Sequence, residues 1–424
     1  MDYDVIVVGA RVAGAATAML LARRGVRVLV VDRVSFPSDT ISSHQVQVPG
    51  VARLHRWGLL DQVRAAGTPP TRRVRFDSGN EVLEGSFPAY EGVDALYSPR
   101  RTVLDALLVD AARAAGAEVR ERFRAEEMLW SEGRVTGIRG SERGGAPAAE
   151  TARLVVGADG KHSFVAGAVS AARYRQRPVR SFACYTYWSG VAVTGGELYQ
   201  RPGRAVAAFP TNDDLVMVYL AAPLAEFGAF RGDIEGHYLK TLDLCGDLGD
   251  RVRSGTRAER LRTTPDQPNT FRRSHGPGWA LVGDAGVVMD SISAQGITNA
   301  CRDAELLADA IAAGLGGARP LRAALAAHQR QRDQAIRPMY DFTVRLAGFA
   351  PRPADRLLLA SLAGRPAEID RFLGAFSGVI PANRYFAPAN VLRLLGTRGL
   401  LRLAGSQRPR HTQAAGRVIH NGEP

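Results

Sequence analysis

The beginning of this 424-residue chain limits its fold more than any other stretch. Val5-Ile6-Val7-Val8 is a fully apolar, β-branched run that stops at Gly9, the pattern of a strand buried on both faces of a parallel sheet. Residues 12–24 are rich in Ala and Leu and end at Gly25, which marks a helix and its stop. Val26 to Val31 forms a second buried strand ending at Asp32. Strand, helix and strand in so short a span make a βαβ unit with both strands in one parallel sheet. The turn between the first strand and the helix reads Gly9-Ala10-Arg11-Val12-Ala13-Gly14. Gly9 permits the tight turn and Gly14 lets the helix approach the strand. The helix N-terminus then faces a pyrophosphate, and Asp32 takes a ribose hydroxyl. Arg11 stands where the usual pattern has its central glycine, so either the loop shifts or the guanidinium adds a phosphate contact. The competing explanation is a tight βα turn that binds nothing.

Further along, a loop rich in Ser, Pro and Asp at 35–50 precedes a helix through Val51–Trp57. Segment 71–86 alternates around Ser78-Gly79-Asn80, as in a β-hairpin. Arg101 to Ala115 reads as helix, and Leu154-Val155-Val156 as a buried strand ending at Gly157. Between about 170 and 270 aromatic, strand-like runs at 182–193 and 205–221 indicate an inserted, mainly antiparallel domain. Ala280-Leu281-Val282-Gly283 resumes the buried-strand pattern, a long helix starts near 296, and beyond Pro338 the chain is helical with prolines as punctuation. The last roughly 18 residues are expected to form a mobile tail.

Two more motifs complete the pattern: Gly157-Ala158-Asp159-Gly160-Lys161-His162-Ser163, and Gly283-Asp284-Ala285-Gly286 leading through Asp290 to Gln295-Gly296-Ile297. With the first turn, in this order, they resemble the FAD-binding aromatic-ring hydroxylases of the para-hydroxybenzoate hydroxylase type. Geranylgeranyl reductases and flavin-dependent halogenases are relatives of that family. More closely, the chain resembles actinobacterial FAD-dependent oxidoreductases of natural-product pathways. The implied fold class is α/β: a Rossmann-like FAD-binding domain with an inserted mainly antiparallel β-sheet substrate domain and a helical C-terminal region. The expected boundaries are 1–70, 95–168 and 270–335 for the FAD-binding domain, 71–94 and 169–269 for the substrate domain, and 336–424 for the helical extension.

The resemblance implies FAD as cofactor, held by Gly9, Arg11, Ala13, Gly14, Asp32, Arg33, Arg101, Asp159, Gly160, Gly283, Asp284, Gln295, Gly296 and Ile297. Arg101 matches a family arginine that reaches the phosphates, with Arg100 as the alternative. The helix after Gly296 would aim its N-terminal amides at the flavin and stabilise the negative charge of its reduced form. For Asp159 and Asp284, capping or turn formation is the competing explanation. Relatives commonly have His, Pro and Gly where this chain has Val287, Ser291 and Ser293. No second glycine-rich turn is present, so NAD(P)H is expected as a transient reductant at the surface.

Candidate catalytic residues are His44, because imidazole titrates near neutrality, Asp290 as a base in the flavin-side loop, and Tyr187. Tyr185 and Tyr187 alternate with Trp188 on a strand, so the tyrosines share one face. Tyr185, Phe209 and Pro210 are candidate substrate contacts; for each aromatic, core packing competes. The activity implied is an NAD(P)H-dependent monooxygenase that hydroxylates an aromatic or polyketide-like intermediate through a flavin hydroperoxide. A flavin ene-reductase is the alternative, followed by a halogenase or a non-catalytic flavin-binding protein. Halogenases of the family use a pocket lysine and a Trp-x-Trp motif, and this chain has only Lys161 and Lys240 and four isolated tryptophans.

The net charge of +13 invites a nucleic-acid partner, but the arginines are spread along the whole chain and no nucleic-acid module is present. A GC-rich genome accounts for that spread. Arg173, Arg175, Arg177 and Arg180 gather at the start of the inserted domain, where NADPH or a carrier-bound acidic substrate could dock. Cys184, Cys245 and Cys301 offer neither a disulfide framework nor metal-ligand spacing, so no metal is expected. No apolar run approaches the ~20 residues of a membrane span. The start lacks a signal peptide's basic residues, which implies a cytoplasmic monomer or homodimer acting on a small hydrophobic or aromatic substrate.

Overall fold

The computed structural model describes residues 2–42, 44–142, 144–350 and 353–396. Strand Tyr3–Val8 pairs in parallel with Val28–Val31 on one side and with Pro147–Gly157 on the other. Glu118–Arg120 and Trp279–Leu281 extend the parallel sheet outward. Val5, Ile6 and Val7 are fully buried, as an apolar run between two covered faces requires. Helix Val12–Ala22 lies on one face against helices Arg101–Ala114 and Gly296–Leu315, and its small residues let all three approach closely. On the other face an antiparallel pair, Phe123–Ser131 and Arg134–Glu142, packs Phe123, Met128 and Ile138 onto Ile6, Val8 and Leu29.

A second sheet runs in the order Val82–Ser86, Arg73–Asp77, Gly196–Arg201, Arg204–Pro210, Val216–Pro223 and Ser181–Ser189. Its pairs are antiparallel except Arg73–Asp77 with Gly196–Arg201. The alternating segment near residue 80 forms its hairpin, with Asp77 opposite Val82. Along Ser181–Ser189, Phe182, Cys184 and Trp188 pack under helices Ile234–Leu242 and Leu248–Ser254. Ala183, Tyr185 and Tyr187 face the opposite way, beside Met217 and Tyr219. All three cysteines are buried and free.

One sequence expectation is corrected here. Helix Leu321–Leu346 runs unbroken through Pro338, so the chain does not change character at 335/336. An internal proline costs a helix about 3 kcal/mol. Burial of Ile336, Met339, Tyr340 and Phe342 on both sides of it, with the Tyr340 hydroxyl donating to Arg175 O at 2.7 Å, offsets that cost. Helices Pro353–Leu362 and Pro366–Ser377 follow. The second caps the edge of the second sheet, where Asp370 accepts the Ser86 N–H at 2.7 Å. The rest of the expected 336–424 extension, from residue 397 and including its tail, lies outside the described residues. Among the described residues, no helix is long and apolar enough to cross a membrane.

A Cβ added at Gly14 would stand 1.8 Å from Gly9 O, a contact that only backbone movement relieves. Gly14→Ala is therefore expected to destabilise the fold by about 1–3 kcal/mol, measured as a lower denaturation midpoint. Gly167→Ala, where the added Cβ meets nothing within 4 Å, is the control and should leave the midpoint in place.

Candidate active site

The three glycine motifs meet at the C-terminal ends of the parallel strands. Gly9 has φ +103°, and a Cβ there would stand 2.6 Å from Ala158 O. Gly283 has φ +61°, and its Cβ would stand 2.7 Å from the Ala13 Cβ. The first turn thus touches the second motif through Gly9 and the third through Ala13. Buried Asp303 fixes the Gly283 turn by accepting its N–H at 2.8 Å, and its other oxygen meets His328 Nε2 at 2.7 Å. Asp284 is accessible yet crowded by protein, and desolvation raises its pKa against the pull of Arg101, Lys161 and Arg272. An accessible carboxylate on the floor of a crowded cleft suits a ligand rich in hydroxyl donors, as the ribityl and ribose parts of FAD are. Asp32 accepts the N–H groups of Ala10 at 2.7 Å and Val34 at 3.0 Å, and each of its oxygens keeps a lone pair for a further donor. Gly296, exposed, opens a 20-residue helix whose first amides have no partner within the helix. Gln295 donates to Phe376 O at 2.9 Å, and Ile297 is buried.

Arg101 forks onto Asp105 at 3.0 and 2.9 Å, and Arg11 reaches the same buried carboxylate at 2.6 Å. Asp105 thus holds both arginines by one carboxylate. The Arg11 guanidinium also binds Ser38 Oγ at 3.0 Å and Asp39 O at 3.1 Å, and so staples the loop after the second strand. Arg33 is exposed at the surface. Asp159 turns its carboxylate onto Ser163 Oγ and the Val165 N–H, so the capping explanation holds there, while Gly160 supplies the turn with φ +81°. Asp105 escaped the sequence reading, although its i,i+4 spacing from Arg101 on a helix was the available signal.

His44 is fully buried, with φ +58° and its N–H donated to Ser42 Oγ at 3.1 Å. Its ring stacks on Tyr187 at 5.5 Å with Nε2 in hydrogen-bond contact with the phenol oxygen, and it meets Tyr185 edge-on at 5.9 Å. His44 Nδ1 is buried without a partner among the described residues. The Arg100 guanidinium lies 4.0 Å from the Tyr187 ring centre and pairs with Glu259, while Arg262 bridges Asp39 and Glu259 at 2.9 and 3.0 Å. Burial, reinforced by Arg101, Arg100 and Arg262, holds the His44 pKa well below its ordinary value, and burial pushes the Tyr185 and Tyr187 hydroxyls up. The histidine is therefore neutral near pH 7. Asp290 is a correction: one oxygen accepts from Ser181 Oγ and the other from the Ile292 N–H at 3.0 Å. Buried, it caps the turn Ser291–Ser293, a structural role, and burial raises its pKa.

A cavity of about 110 Å³ lies between the second sheet and the turn at 291–294. Gln45 and Gln47 form one side, Phe76, Phe209 and Phe376 much of the apolar wall. Gly196 makes room for the Phe209 ring, which an added Cβ would strike at 2.2 Å. Tyr185 shares the sheet face of Met217 and Tyr219, which line the cavity, but is not itself part of the wall; neither is Pro210. The family departures have structural reasons. Val287 packs into an apolar cluster with Phe271, Ile336 and Tyr340. Ser291 Oγ bonds Tyr219 at 2.9 Å and Gln267 at 2.8 Å, and Ser293 Oγ bonds Thr343 at 2.6 Å, tying the turn to sheet and helix. Lys161, held by Asp266 at 2.9 Å, and exposed Lys240 both lie outside the cavity wall.

A family model described as FAD binding domain matches residues 2–343. A digeranylgeranylglycerophospholipid reductase of Methanothrix thermoacetophila is 26% identical over 349 residues, 76% of this chain and 82% of the relative. A tryptophan 2-halogenase of Chondromyces crocatus is 24% identical over 77% of this chain and 64% of its own. Among solved structures, a myxobacterial chondrochloren halogenase superposes with a TM-score of 0.75 at 22% identity, covering 94% of this chain and 97% of that one. A probable FAD-dependent monooxygenase of Pseudomonas aeruginosa, pqsL, gives 0.69 at 22% identity over 88% and 99%. These two likenesses concern the fold.

The His44 environment has a consequence for stability. Its folded-state pKa lies below the unfolded value of about 6.5, so the unfolded chain takes up the proton first as pH falls. The contribution is complete above about pH 6.5 and is lost below it, at up to about 1.4 kcal/mol per pH unit. Between roughly pH 7 and 5 the wild type should lose stability more steeply than His44→Gln, as read by denaturant titration. Equal slopes would show that the ring is not held neutral by the fold.

Proposed function

The chain belongs to the FAD binding domain family, and from that premise we propose that it is an NAD(P)H-dependent monooxygenase that hydroxylates an aromatic or polyketide-like small molecule. It is an FAD-dependent oxidoreductase. Bound FAD supplies the redox centre between nicotinamide and oxygen. The observation that supports hydroxylation is the apolar cavity, whose wall includes Gln45, Gln47 and the turn Ser291–Ala294, the segments that lead from His44 and into the helix at Gly296.

The chain's own residues divide the work. Gly9 and Gly14 bring the backbone close to the pyrophosphate, and Arg101, oriented by Asp105, supplies its positive charge. Asp32 and Asp284 accept hydroxyls, and the helix opening at Gly296 stabilises negative charge on the ring. His44, neutral and with Nδ1 unpartnered, lies one residue before Gln45 of the cavity wall; with protonation disfavoured, it serves as a hydrogen-bond acceptor on that side of the cavity rather than as a base. Tyr187 accepts the Nε2–H and fixes that tautomer. Phe76, Phe209 and Phe376 keep water out. Exposed Arg173, Arg177 and Arg180 offer a surface for the anionic reductant or a carrier-bound substrate.

Ene reduction is the second reading, favoured by the apolar cavity and the reductase relative. Oxygen separates the two: hydroxylation consumes one O2 per product, whereas ene reduction runs on NADPH without oxygen. The purified protein should be yellow or take up added FAD, and a protein that does neither sinks both readings. His44→Leu, which removes the acceptor, is expected to raise KM about tenfold while FAD is retained, measured as substrate-dependent oxygen uptake.

A further inference from the structure

Beside the first cavity lies a second, of about 60 Å³, between the end of helix Leu321–Leu346 and helices Pro353–Leu362 and Pro366–Ser377. The two cavities share Phe76, Gln200, Leu346, Phe349 and Phe376 as common wall. Phenylalanine rings line the second: Phe342 meets Phe376 edge-on at 5.1 Å and stacks on Phe386 at 5.0 Å, and Phe372 meets Phe76 edge-on at 5.3 Å. Its charged lining consists of Arg345, stacked over Phe342 and Phe386 at 5.2 and 5.1 Å, and Asp355. With one charge of each sign, the chamber does not select an anion or a cation; its rings select apolar surface.

Protein interiors pack to crystal density, so unfilled space lined by aromatic rings and continuous with the first cavity is room that an apolar group can occupy. The common wall also holds strain. Phe349 lies at φ +50°, a conformation that a bulky residue adopts at an energetic cost and that persists where function uses it.

We propose that the substrate has two parts. A ring-sized head reacts in the first cavity, and an alkyl or aryl tail passes Phe349 into the phenylalanine chamber. The head's position rests on the functional reading above; the tail's chamber does not.

Calorimetric titration of the FAD-loaded protein with 4-alkylphenols from 4-methylphenol to 4-octylphenol tests this. Affinity should rise about fourfold per methylene that enters the chamber. Leu359→Trp and Ala350→Trp each place an indole at the chamber lining and should flatten the rise for the longer members while leaving 4-methylphenol binding unchanged. Ala350 is exposed, so that variant folds even where buried Leu359→Trp does not. A flat series in the wild type, or an undiminished rise in both variants, overturns the proposal. Tight, length-dependent binding without hydroxylation instead sinks the monooxygenase reading and leaves the chamber standing.

Discussion

The close approach of three backbone turns governs the rest of this structure. Gly9 lies against Ala158, Gly14 against Gly9, and Gly283 against Ala13, at separations that no side chain on these glycines would tolerate. Each turn ends one parallel strand, and their contact brings the ends of Tyr3–Val8, Pro147–Gly157 and Trp279–Leu281 to a single point. That is where an open α/β sheet leaves its crevice. The Asp303–His328 pair, buried and hydrogen-bonded to the Gly283 amide, holds the third turn from behind. The cleft is thus defined by backbone rather than by flexible side chains.

Charge is arranged around that cleft in a way that relates to the surplus of +13. Buried Asp105 lies between Arg11 and Arg101, so two guanidinium groups share one carboxylate and leave a net positive charge. Arg100 and Arg262, by contrast, meet two carboxylates, Asp39 and Glu259, and their charges balance. Arginine suits both positions because its planar fork satisfies two acceptors at once, which lysine cannot. The scarcity of lysine therefore has structural consequences whatever its genomic origin.

Much of the fold was legible because its signals are local. The βαβ unit, the hairpin at 73–86 and the alternation that separates Tyr185 and Tyr187 from Trp188 each follow from the periodicity of a few residues. The site was less legible because the same residue types serve as caps. Asp159, Asp290 and Asp284 all sit in glycine- or serine-rich turns, yet the first two satisfy nearby N–H and O–H donors and only Asp284 is left facing the cleft. Sequence spacing cannot reveal that Ser163 takes the Asp159 carboxylate or that Ser181, 109 residues away, takes that of Asp290. Arg11 was less legible for a related reason, since its partner Asp105 is 94 residues away. Pro338 misled because helix-breaking is a local rule and the burial that overrides it is not.

The departures at Val287, Ser291 and Ser293 link the cleft to the cavity. A residue that faces a cofactor can be replaced freely only if the turn carrying it is held by other means. Here the two serine hydroxyls anchor the turn to Tyr219 on the sheet, to Gln267 in a loop and to Thr343 on the long helix, and Val287 adds apolar packing to that helix. Gln295 extends the same support to helix Pro366–Ser377 through Phe376 O. Phe376 also belongs to the wall common to both cavities. The turn at the head of the cofactor helix and the far wall of the substrate space are therefore braced by one hydrogen bond. One residue thus serves both: the Phe376 carbonyl holds Gln295 ahead of the helix at Gly296, and its ring separates the two cavities.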